Sequence, residues 1–325
     1  AWWLVIGGFT QLALLVWSMW RRGELLQPRF GLPRRGTPAF AVLVAMGPMV
    51  IGMSLNQISA LLDMLMAYYL VSSGSLIYIY IANRLLLFPH ALTAMSLGVA
   101  AFPKLALEAT ETDRRGLRST LDKFAGLTLF ITLPASVGLA LVADDIVRVL
   151  FLGGEFLEQD VGPTVLTVIM LVIGLPFLGL AQLYARAFYA VGDARTPARL
   201  AGVLVCVNAL LNLLLLWLTD LGTAGLALAS SVSSLANATF LARRFRRHVA
   251  APAQSHLPAS WLRAVAATSV MAIAVVLTKT APASSTAWQL ALWNLGVPIA
   301  VGVVTYAATH MLMRSPELAI LRRRK

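Results

Sequence analysis

Arg84 lies inside GSLIYIYIANRLLLFPHALTAM, residues 74–95, a stretch that is otherwise almost wholly apolar. Counted from a hairpin near Ser73, it sits ~16 Å along a helix, close to the midplane of a ~30 Å hydrocarbon core. A cation at that depth costs at least ~2.5–3.5 kcal/mol to insert, so it must face a partner or a wet cavity. Its planar fork donates two parallel hydrogen bonds and never deprotonates, which suits a phosphate. Asp63 is the only acidic residue deep in any apolar run, and it precedes the same hairpin by about 10 residues, ~15 Å of helix. The two therefore lie at similar depth on neighbouring antiparallel helices. Either they pair, or each faces one cavity; a buried aspartate can also take a proton or a cation.

Asn208 and Asn212 are four apart, hence on one helix face. Their amide oxygens can ligate a cation, and their amides can equally join helices. Arg186, in YARAFYAVGD, sits near the end of another apolar run. It either snorkels to the interface or helps receive a phosphate at a cavity mouth. His90 and His310 have no metal-ligand spacing, and the single cysteine, Cys206, reads as a small packing residue. No nucleophile elbow, phosphate-binding glycine loop or paired catalytic carboxylates occur, so nothing argues for an enzyme.

The elements that must position these side chains follow from composition. Of 325 residues, 59% are hydrophobic and only 12% charged, about half the charge of a soluble domain. Mean hydropathy is +0.79. The reading is an all-α polytopic membrane protein with about nine spans, near 1–20, 39–71, 75–103, 121–143, 161–191, 197–218, 222–242, 260–279 and 287–313. Basic residues alternate from loop to loop. Arg21, Arg22, Arg29, Arg34 and Arg35 follow the first span, and the next turn has none. The loop between the fourth and fifth spans is acidic, whereas RRFRRH and the terminal RRRK are basic. By the positive-inside rule the N-terminus is outside and the C-terminus cytoplasmic. The same bias explains the net charge of +12 without nucleic acid.

Local signals agree with this division. In GDARTPARL, Gly192 ends one helix, Thr196 caps the next and Pro197 fits its first turn. Gly225, Ala229 and Ser233 recur every four residues as a small-residue packing seam, which Asn237 extends. The domain reading is 1–20, a last helix of a truncated lobe; 21–38, a basic cytoplasmic loop; 39–247, a helix bundle; 248–259, a proline-bearing linker; and 260–325, a final helix pair with a basic tail. The chain opens at Ala1 directly on an apolar run without a signal-peptide leader, which reads as a span whose upstream sequence is missing.

Several stretches resemble one family. GSLIYIYIANRLLLFPHALTAMSLGVAAFPKLA, GPMVIGMSLNQISALLDMLMA, RAFYAVGDARTPARL, GTAGLALASSVSSLANA and AWWLVIGGFTQL are similar, in that family's order and spacing, to helices of the MurJ (MviN) lipid II flippases. These belong to the multidrug/oligosaccharidyl-lipid/polysaccharide exporter superfamily. The resemblance implies helices 6 to 14 of a 14-helix, two-lobe transporter: the C-terminal lobe plus two extra helices, with the N-lobe helices outside this chain. It implies a multi-pass protein of the bacterial cytoplasmic membrane that moves an undecaprenyl-pyrophosphate-linked peptidoglycan precursor by alternating access. Membrane lipids surround it, residues 260–279 and 287–313 form a lipid-tail groove, and a sodium ion or the membrane potential supplies the drive.

The resemblance also assigns residues. The family's cavity arginine falls on Arg84, preceded by Asn83 where the family has an acid. Asp63, Asn208, Asn212 and the Ser230 hydroxyl fall on a sodium site. There the family's Asn-x-x-x-Asp pair reads Asn208 and Asn212, one charge fewer. Competing readings are a drug or polysaccharide-lipid exporter and a non-transporting scaffold. A scaffold has no need of a midplane arginine, and a drug-cation exporter wants acidic cavity residues.

Overall fold

The computed structural model describes residues 2–23, 35–72, 74–91, 96–110, 115–249, 257–279 and 292–317. Most of the basic loop at 21–38 and of the proline-bearing linker lies outside these residues. The helices are α1 (Trp2–Arg21), α2 (Pro38–Met66), α3 (Ser75–His90), α4 (Ser96–Ala109), α5 (Arg115–Phe151), α6 (Glu158–Val172), α7 (Leu175–Ala190), α8 (Arg195–Leu218), α9 (Thr223–His248), α10 (Leu257–Thr278) and α11 (Val297–Leu312). One π-helical turn, Ala67–Val71, closes α2, and another, Leu292–Gly296, opens α11.

The chain divides into two compact units, Ala1–Met46 and Gly47–Lys325. In the first, α1 exposes apolar side chains such as Phe9, Leu12 and Trp20, while Arg21 lies over the Trp17 ring at 4.4 Å. In the second, α9 is the central helix, packed against α6, α7 and α8. Its small residues permit this: Ala224, Ala229 and Ala238 are buried, and a side chain at Gly225 would meet Leu215 at 3.5 Å. The largest apolar core joins α4, α5, α7 and α9 through Leu105, Leu121, Tyr184, Phe188 and Phe245. Val249 and Leu257, which flank the linker, are buried in this same core. A second core seats α10 and α11 on α5.

Among the described residues, seven helical segments are long and apolar enough to cross a membrane. The expected span at 161–191 is not one straight helix. It breaks at Ile173–Gly174 into α6 and α7. Pro176 has no N–H to offer the Val172 carbonyl four residues earlier, and the Ser136 hydroxyl donates to that carbonyl instead, at 2.5 Å. Ser231 donates to the Met170 and Leu171 carbonyls at 2.6 and 3.1 Å. Irregular backbone at membrane depth is tolerated only where such partners exist.

Two smaller expectations change. Gly192, at φ +81, does end α7, but the N-cap of α8 is Ala194 rather than Thr196, and Asp193 just before it bonds the first turn. The Asp193 carboxylate accepts from the Thr196 N–H at 3.0 Å and from its hydroxyl at 2.6 Å. Cys206 is exposed on α8, not a packing residue.

Candidate functional site

Six helices, α2, α3 and α6 to α9, meet around a cavity of about 300 Å³ in the second unit. Its polar wall is built by spacing. Ser59 and Asp63 are one turn apart on α2, Asn208 and Asn212 one turn apart on α8, and Ser230, Ser233, Ser234 and Asn237 follow one face of α9. Residues three and four apart share a face, so three helices each turn a short polar stripe to the same place.

Asp63 is the centre of that wall. Its Oδ1 accepts from Asn212 Nδ2 at 2.6 Å and its Oδ2 from the Ser230 hydroxyl at 2.9 Å. The Asn208 carbonyl accepts from the Ser59 hydroxyl at 3.2 Å and from Asn212 at 3.4 Å. Asn208 in turn donates to Ser233 at 3.3 Å and to Ser230 at 3.5 Å. Both asparagines are buried, and Asn212 is fully so. The Asn212 amide oxygen has no hydrogen-bond partner. Among the described residues Asp63 makes no ion pair; its charge is met by neutral donors alone. The four residues Asp63, Asn208, Asn212 and Ser230 are therefore one hydrogen-bonded group. Sequence reasoning missed Ser59 and Ser233, although Ser59 precedes Asp63 by one helical turn.

Arg84 is not part of this group, and it does not pair with Asp63 as the matched depths allowed. It is exposed on α3, where its Nε donates to the Tyr80 hydroxyl at 3.2 Å and its guanidinium lies 5.4 Å from the centre of the Tyr80 ring. The residue of α3 on the cavity wall is its neighbour Asn83, whose side chain donates to the Ile79 carbonyl at 3.0 Å. Successive helical residues diverge by about 100°, so Asn83 and Arg84 serve different faces. The expected shared interior face is therefore not seen: Asp63 lines the cavity and Arg84 does not.

Arg186 is half-buried between α7 and α4. Its guanidinium fills the space that Gly98 leaves: a Cβ on Gly98 would lie 1.0 Å from Arg186 Nη1. One turn earlier on α7, Gln182 reaches the cavity wall and donates to His90 Nε2 across 3.0 Å. Neither Gln182 nor His90 was singled out as a site residue from the sequence. Their signal was the four-residue step from Gln182 to Arg186. Among the described residues no group of three or more His, Cys, Asp or Glu could hold a metal ion. What the cavity offers is a single carboxylate among neutral oxygens.

Comparison with known proteins bears on what such a bundle is. A family model described as Lipid II flippase MurJ matches residues 1–295. The probable lipid II flippase MurJ of Bdellovibrio bacteriovorus is 30% identical over 323 residues, covering 99% of this chain and 61% of that protein. The probable lipid II flippase MurJ of Vibrio cholerae is 29% identical over 238 residues, 73% of this chain and 44% of that protein. The chain thus spans about half to three fifths of these relatives' length. In structure, it is similar to a lipid II flippase MurJ in an inward closed conformation, with TM-score 0.70, 23% identity, and coverage of 90% of this chain and 58% of that one. It is also similar to an outward-facing multidrug resistance MATE family transporter of the MOP superfamily, with TM-score 0.57, 18% identity, and coverage of 85% and 66%. At these identities both likenesses establish the fold alone: all-α and multi-spanning.

Proposed function

This chain belongs to the lipid II flippase MurJ family, and from that premise we propose that it supplies helices 6 to 14 of a flippase for the lipid-linked peptidoglycan precursor in the bacterial cytoplasmic membrane. Its work is transport, not bond chemistry. The C-terminal lobe is the bundle α2–α9; α10 and α11 form the lipid-tail groove; the remaining helices belong to the other lobe. The basic turns face the cytoplasm by the positive-inside rule.

Arg84 is the headgroup contact in this reading. Tyr80 fixes its guanidinium from below through one hydrogen bond and the ring face. That leaves the outer edge of the fork, with its remaining donors, for two phosphate oxygens. Arg186 lies deeper, over Gly98, and stands as a second basic group on the cytoplasmic side. Asn83 lines the cavity.

Asp63, Asn208, Asn212 and Ser230 form a site for a monovalent cation such as sodium. The observation that supports it is the buried Asn212 oxygen without a donor, on the same amide whose nitrogen is held by Asp63. A half-turn of that amide sets its oxygen beside the carboxylate, which is favourable only with a cation between them. One carboxylate among neutral oxygens matches one positive charge, whereas divalent sites gather more carboxylates. A bound cation would supply the charge that lets Asp63 stay ionised at this depth.

The reading is tested by complementation of cells depleted of their own flippase, using the full-length transporter with membrane abundance checked alongside. Arg84→Ala is expected to insert normally and fail to support growth, since removing a midplane charge eases insertion. Arg84→Lys, which lacks the fork, is expected to retain little activity. Normal growth with Arg84→Ala would end the headgroup role.

A further inference from the structure

We propose that Gln182, His90 and Arg186 form the barrier between the Asp63 cavity and the cytoplasm, so that the cation of this lobe reaches Asp63 from the outer side. The proposal rests on reading the Asp63 group as a cation site and the basic turns as cytoplasmic.

The cavity has two ends. Asp63 lies nine residues before Ser72, and so ~14 Å from the outer hairpin. Gln182 lies eight residues before the end of α7, and so ~12 Å from the basic turn at Arg195. A cation moving from Asp63 toward the cytoplasm passes Ser234 and Asn237 and then meets Gln182. There the Gln182 amide is bonded to His90, which closes α7 onto α3. One turn further on, the guanidinium of Arg186 lies over Gly98. A cation thus meets first a hydrogen-bonded closure and then a like charge in a medium of low dielectric.

The other flank is shut by close packing. A Cβ on Gly52 of α2 would lie 3.4 Å from the Ala198 backbone of α8, and one on Gly202 would lie 3.7 Å from Leu55. Backbones this close leave no room for a hydrated ion. The two flanks differ in kind. The α2–α8 contact is apolar where Gly52 meets Ala198 and Gly202 meets Leu55. The α3–α7 contact is polar and leaves a buried atom unmet: with His90 Nε2 accepting from Gln182, the ring proton sits on Nδ1, which has no partner. A buried unsatisfied donor is costly, so this closure is held at a disadvantage and is the one suited to open. Gly98 matters for the same reason. Any side chain there would push Arg186 out of its place without removing its charge.

Thiol accessibility in the full-length transporter tests the barrier. With Cys206→Ser and no other cysteine, Ser234→Cys places a reporter on the cavity wall. A membrane-impermeant cationic methanethiosulfonate is then added to right-side-out or inside-out vesicles. Modification from the outer face is expected to be at least about tenfold faster than from the cytoplasmic face. Gln182→Ala, Arg186→Gln and Gly98→Val should each raise the cytoplasmic-face rate about tenfold, at normal abundance in the membrane. Equal rates from both faces in the parent, or an unchanged rate in all three variants, would overturn the proposal. Binding of radioactive sodium to the purified transporter separates the two readings. Sodium binding that Asp63→Asn abolishes, together with equal labelling from both faces, would sink the barrier alone. Faster labelling from the outer face without any sodium binding would sink the cation site and keep the barrier.

Discussion

At the scale of single residues, Asp63 has no ion-pair partner among the described residues and is held by Asn212 and Ser230. The Asn212 side is one charge short of the family pattern, so the sequence itself suggests the test. Asn212→Asp would set a second carboxylate beside Asp63. Without a cation the two repel, and with one they share it. Sodium affinity of the full-length transporter is therefore expected to rise by about tenfold or more, measured as the half-saturating concentration of radioactive sodium. An unchanged or weaker affinity would show that Asn212 is not a ligand. The site was legible in the sequence where spacing carries it: Asp63 by its isolation in an apolar run, Asn208 and Asn212 by their step of four. Ser230 came from family resemblance. The direction of Arg84 was not legible, because the face a residue presents depends on which neighbours its helix packs against. The unpaired asparagine oxygen was not legible at all. It follows from the relative heights of α2, α8 and α9, which no single helix encodes.

Among the elements, two prolines are each answered by a hydroxyl from another helix. Pro176 frees the Val172 carbonyl, which accepts from Ser136 of α5. Pro134, inside α5, likewise has no N–H for the Phe130 carbonyl four residues earlier, and Phe130 accepts from the Tyr306 hydroxyl of α11 at 2.6 Å. The prolines could be read in the sequence, but their partners lie 40 and 172 residues away, beyond any local pattern. The pairing predicts a rescue. Tyr306→Phe should cost about 1 kcal/mol, within the range of interhelical hydrogen bonds in lipid, because it leaves the Phe130 carbonyl bare. Pro134→Ala supplies the missing N–H, so in that background Tyr306→Phe should cost much less. Thermal unfolding in detergent of the two single variants and the double variant measures the coupling. Strict additivity would mean that the Tyr306 hydroxyl does not serve the proline.

Over the whole second unit, α5 is the strut on which the final helix pair is mounted, and the mounting is unequal at its two ends. Sequence reading set residues 260–325 apart behind a linker, because proline and polar residues interrupt the apolar pattern there. The fold instead draws the linker's flanks, Val249 and Leu257, into the central core. Arg118 ties the first of them by donating to the Val249 carbonyl at 3.3 Å. At one end of the pair, Lys279 reaches Asp145 and the Leu141 carbonyl of α5, with both charged side chains partly exposed. At the other, the backbone turns through Arg314 at φ +47 and returns the Glu317 carboxylate to Ser260 and Arg263, against Gly126 of α5. The Glu317 side chain is 6% exposed and that of Arg263 26%. Removing one partner of a fully buried pair costs ~3–5 kcal/mol; the part-exposed arginine lowers the expectation for Glu317→Ala to about 2 kcal/mol. An exposed pair is worth under about 1 kcal/mol, so Asp145→Asn should be milder. Hydrogen exchange is the discriminating measurement, since it reports where protection is lost. Glu317→Ala is expected to speed exchange across α10 and α11 while leaving α8 and α9 protected, because the Asp63 group is built on α2, α8 and α9 and this corner on α5, α10 and the turn after α11. Loss of protection spreading equally into α8 and α9 would mean that the pair and the bundle unfold as one, and that the final helix pair cannot move independently of the Asp63 group.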